Sequence, residues 1–98
     1  MNRTEIIRSA CTAGTEAAAV EYDALTPETA RALRSDVVPD YAADAARAIV
    51  SAAFGLDSEE VRGTKIVDRA TDAWASAFRA AWLAEDVAAL AAQTDGES

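Results

Sequence analysis

Residues 64–92 read TKIVDRATDAWASAFRAAWLAEDVAALAA, and the spacing of the large apolar residues in this stretch decides the fold. Trp74, Phe78 and Trp82 stand four apart, so at about 100° per residue they run along one side of an α-helix. Val67, Ala70, Ala77, Ala81 and Ala88 project onto the same broad face, and Lys65, Asp68, Arg69, Asp72, Ser76 and Arg79 project opposite it. An aromatic row backed by a charged face is the pattern of a core packed on the small faces of neighbouring helices. The stretch predicts one helix from Thr64 to about Ala92. At 1.5 Å per residue it spans roughly 40 Å, which is long for a chain of 98 residues.

Past Trp82 the pattern changes. Leu83, Val87 and Leu90, spaced by four and three, fall on what had been the charged face. Two structures satisfy this. The helix breaks near Ala84 and turns the stripe into the same core, or it continues and the stripe docks on another subunit or another protein. Composition favours the second. Alanine accounts for 26 residues, while Leu, Ile, Val and Phe together account for 18, so a monomer buries little large apolar surface. Association supplies what such a core lacks, at about 1.5–3 kcal/mol per fully buried large side chain. Leu83, Val87 and Leu90 are therefore the expected interface, in a homo-oligomer or a larger protein assembly.

Three shorter helices are expected ahead of this one. The first runs from about Thr4 to Asp23, with Ile7, Cys11, Gly14, Ala18, Tyr22 and Leu25 as its inner stripe. Gly14 costs about 1 kcal/mol relative to alanine in a helix interior, which implies a close neighbour. Thr26-Pro27-Glu28 opens a second helix, with Thr26 as N-cap, that ends by Ser35 or Asp36. Val38 precedes Pro39 and is pushed toward extended backbone. The third helix runs from Pro39 or Asp40 to Phe54 and buries Ala42, Ala45, Ala46, Ile49, Val50 and Ala53. Gly55 closes it in the left-handed conformation, with Leu56 folding back on Val50. Asp57 and Glu60 have capping-box spacing, and Gly63-Thr64 interrupts the chain before the last helix. The fold class is all-α, a small bundle of about four helices with a long C-terminal helix. Residues 1–93 make a single helical domain and 94–98 a polar tail.

Nine bases face seventeen acids, histidine is absent and the net charge is −8. A field of that sign repels nucleic acid and anionic membranes, and no apolar run is long enough to span a bilayer. No secretory signal is visible, and the single cysteine, Cys11, suits a reducing compartment. These features point to a cytoplasmic or intracellular protein, with a virion also compatible. Without histidine there is no imidazole base and no catalytic triad; Cys11 reads as a buried, inert thiol. Asp40 with Asp44, and Asp68 with Asp72, have spacings that suit a hard cation. Helix-opening positions and the nearby Arg47 and Arg69 account for them as well. No cofactor, metal or enzyme activity is expected. The leading function is a non-catalytic interaction or assembly module, such as a phage or viral structural or adaptor component. The alternative is an acidic inhibitor or nucleic-acid mimic that blocks a basic groove, since residues 80–98 hold four acids and no base.

Overall fold

The computed structural model describes residues 2–26, 28–29 and 38–97, with side chains through Ala92 at the C-terminal end. Its described residues form four helices: α1 (Arg3–Asp23), α2 (Ala42–Phe54), the single turn α3 (Ser58–Val61) and α4 (Lys65–Glu97). The expected second helix lies mostly outside these residues. Its start is visible, because Thr26 Oγ1 accepts the Thr29 N–H at 3.2 Å, an N-cap bond.

Local signals account for most boundaries. Asn2 caps α1, with Oδ1 accepting the Glu5 N–H at 2.9 Å. Helix α2 begins at Ala42 rather than at Pro39 or Asp40, and ends at Gly55, whose φ of 67° is left-handed. The Leu56 N–H then reaches the Ser51 carbonyl at 3.1 Å, the six-to-one bond of a Schellman end. The Glu60 carboxylate accepts the Asp57 N–H at 3.3 Å in front of α3. Gly63, with φ 79°, and Thr64, whose hydroxyl donates to the Val61 carbonyl at 2.7 Å, separate α3 from α4.

Helices α1 and α4 run parallel: Gly14 meets Trp74, and Tyr22 meets Trp82 and Asp86. Helix α2 is antiparallel to both, since Tyr41 at its start packs on Trp74 while Arg47 faces Gly63 and Val67. The buried row of α1 is Ile6, Ala10, Gly14, Ala18 and Tyr22. This corrects the first two turns of the expected stripe, where Ile7 and Cys11 are only half-buried. The physical reason is the crossing of the helices. A row of strict fours slopes around a helix by about 40° per step and packs as a ridge, whereas alternating fours and threes describe a straight stripe.

The core consists of that row, Ala42, Ala46 and Val50 of α2, Val61, and Val67, Ala70, Trp74, Phe78 and Trp82 of α4. Two expectations fail at its edges. Leu56 stays exposed rather than folding back on Val50, because its backbone closes α2, its N–H donating to the Ser51 carbonyl and its carbonyl accepting from the Ser51 hydroxyl. Ala88 is exposed, and Asp86 takes the buried place further along α4. Helical backbone also continues through Thr94–Glu97, residues expected to form a tail. The described molecule measures 55 × 22 × 17 Å, and the 33 residues of α4, about 50 Å, set the long axis.

Candidate functional site

Five aromatic rings hold α4 in place. Trp74 and Phe78 stack with centroids 5.3 Å apart, and Phe78 and Trp82 with centroids 5.7 Å apart. Tyr41 meets Trp74 edge-on at 5.6 Å, and Tyr22 meets Trp82 edge-on at 5.1 Å. Offset stacks and edge contacts are the favoured geometries of the ring quadrupole. Each tyrosine hydroxyl donates to a carboxylate, Tyr22 to Asp86 at 2.8 Å and Tyr41 to Glu21 at 2.7 Å. Partial desolvation, then the hydrogen bond to Glu21 and its charge, push the Tyr41 hydroxyl up to about 12. Asp86 is 8% exposed and is the buried charged side chain among the described residues.

The three aromatics and Asp86 form one ridge of fours along α4, and the next member of that ridge is Leu90. Helix α1 ends at Asp23, one residue past the Tyr22 that contacts Asp86. From Val87 onward α4 is therefore an arm that projects beyond the end of α1. No break occurs near Ala84, because α4 is continuous from Lys65 to Glu97. Leu83 is 56% exposed, Val87 58% and Leu90 47%, so all three present apolar surface to solvent. The slope of the ridge explains why these residues projected onto the charged face: the contact line has turned around α4 by the time it leaves α1.

A second exposed apolar pair, Phe54 (50%) and Leu56 (43%), flanks Gly55 at the opposite end of the molecule. Between α2 and the start of α4 lies an open cleft of about 500 Å³, lined by Arg47, Arg62, Gly63, Val67, Asp68 and Asp72 among others. Its two arginines have local acids: Arg47 pairs with Asp44, and Arg62 with Glu59 at 3.5 Å. Cys11 is half-buried, with Sγ 3.9 Å from the Ala73 carbonyl oxygen. Among the described residues no cluster of His, Cys, Asp or Glu is placed to hold a metal, and no helix is long and apolar enough to cross a membrane.

Compared with family models, curated proteins and solved structures, the chain has no match. Its functional reading therefore rests on its own surface. Sequence reasoning missed the Tyr22–Asp86 pair, although Asp86 stands four residues past Trp82 and continues the aromatic row. It also missed Tyr41, a loop residue outside any helical period, and the exposure of Phe54 and Leu56.

Proposed function

We propose that this protein is a non-catalytic helical interaction module whose docking surface is the Leu83, Val87 and Leu90 stripe of α4. One observation carries the reading: α4 is continuous, and the Leu83, Val87 and Leu90 side chains are exposed along it. Exposing a contiguous apolar stripe on a small acidic domain is costly unless a partner covers it. The anchoring ring ladder supports the same reading, because it presents the arm on a rigid helix and limits the entropy lost on docking. A repeated unit of a larger assembly, such as a phage or viral adaptor, is the biological setting that suits it. The base-free stretch from Ala80 onward keeps one competitor in view, an acidic inhibitor of a basic groove.

Light scattering after size exclusion, at low and high salt, tests the reading. An apolar interface holds or strengthens in salt. The wild type should exceed its monomer mass of 10.2 kDa at both salts. The Leu83→Glu/Leu90→Glu variant should be a monomer of unchanged helix content. A wild type that is monomeric throughout, or a variant that associates as the wild type does, overturns the reading. The acidic inhibitor would then lead.

A further inference from the structure

The exposed apolar surface of α4 includes small side chains as well as large ones. Ala80, Leu83, Ala84, Val87, Ala88 and Ala91 are all exposed, and at about 100° per residue they centre on the side of the helix opposite buried Trp82. This face turns away from α1, whose contact line on α4 runs through Trp82 and Asp86. Resting on the docking reading above, we infer that it is covered by the same face of a second copy of this chain, the two α4 helices lying antiparallel about a two-fold axis.

Two observations carry this. The first is side-chain size. An antiparallel overlap that sets Ala84 opposite Val87 also sets Leu83 opposite Ala88 and Ala80 opposite Ala91. Each large side chain then meets a small one, and the helices close on each other without voids. A parallel overlap in register sets Leu83 on Leu83 and Val87 on Val87, and these bulky levels hold the alanines apart. The second is charge. From Arg79 to Ala92 the charged residues of α4 are Arg79, Glu85 and Asp86. Asp86 is buried against Tyr22, and Glu85 is half-buried and off the face, so the face itself is uncharged. Exposed Arg79 borders it one turn before Leu83. Antiparallel pairing lays each Arg79 alongside the last turns of the other α4, where the sequence carries acids and no base and the helix dipole is negative. Parallel pairing lays Arg79 on Arg79 and acid on acid, which is unfavourable. A self-complementary contact of this kind closes as a dimer.

Cross-linking reads the direction of the helices. Ala80→Cys and Ala91→Cys copies of the full chain, both carrying Cys11→Ser, are mixed and oxidised. In the antiparallel pair residues 80 and 91 are neighbours. Two copies of residue 80 then stand eleven residues apart along the helix, about 16 Å, beyond the reach of a disulfide. The 80–91 disulfide should predominate in the mixture, and each variant alone should stay uncross-linked. Predominance of 80–80 or 91–91, or no disulfide while the wild type associates, overturns the antiparallel pair and leaves the docking reading standing. Light scattering gives a second readout. The wild type should have twice its monomer mass of 10.2 kDa, and a larger species overturns the closed pair. Ala84→Leu puts a large residue where the partner's Val87 must fit, so it should weaken association by about tenfold at unchanged helix content. Unchanged or tighter association of that variant overturns the large-on-small contact. If the wild type is monomeric, or Leu83→Glu/Leu90→Glu associates as the wild type does, the docking reading falls and this inference falls with it.

Discussion

At Gly14 the α1 and α4 backbones come so close that a Cβ would overlap the Trp74 carbonyl oxygen and lie 3.1 Å from its carbonyl carbon. Gly14→Ala should therefore destabilise the protein by about 1–3 kcal/mol in urea unfolding, against a helix-propensity gain of about 1 kcal/mol. A neutral result would mean the helices are not in that contact. Eight residues on, Tyr22→Phe removes the hydroxyl that donates to buried Asp86. Leaving an acceptor without that donor should cost about 1–3 kcal/mol, read from thermal or urea melts. Tyr41 gives a pH signature. Its hydroxyl is held up to about 12 in the fold, above the 10.0 of an ordinary tyrosine, so the native state keeps a proton that the unfolded chain releases first. That contribution is complete below pH 10 and lost as pH rises toward 12. Tyr41→Phe should flatten the loss of stability in that window, and an unchanged alkaline profile would show that Glu21 does not hold this proton. Gly14 was legible as a packing glycine from its position inside a helical pattern. The two tyrosine–carboxylate pairs were not, because each joins residues 20 or more apart in sequence.

Among the elements, α4 is asymmetric along its length, buried through Trp82 and Asp86 and exposed on its arm. Trp74→Ala removes a fully buried ring from the ladder and should cost about 3–5 kcal/mol, enough to unfold so small a domain. Leu83→Ala, made nine residues later, should change monomer stability by no more than about 0.5 kcal/mol under dilute conditions. Urea titrations of the two variants side by side check the contrast, and comparable losses would place Leu83 in the core. The period of four in Trp74, Phe78 and Trp82 identified this helix and its inner face from sequence. The same projection left open whether the helix broke near Ala84. It also placed Ala88 on the inner face, because a straight projection cannot follow a contact line that slopes around α4.

For the whole molecule, association through the arm would link stability to concentration. The wild-type melting temperature should rise with protein concentration, and that of Leu83→Glu/Leu90→Glu should not. Equal and concentration-independent melting would show that no folded-state association occurs. At this scale the division between sequence and tertiary structure is sharp. Composition, helical period and turn chemistry by themselves determined an all-α chain, with α2 closed at Gly55, an interruption at Gly63-Thr64 and a long last helix. These are local properties, set within a turn or two by propensity and capping. Only the tertiary structure decided that α1 and α4 run parallel and that Asp86 belongs to the interior. It also decided that Leu83, Val87 and Leu90 stay exposed, the last two beyond the end of α1. Those outcomes depend on where one helix stops relative to another and on the angle at which they cross. Close contact at Gly14 and the ring ladder set both, and no spacing within a single helix encodes either.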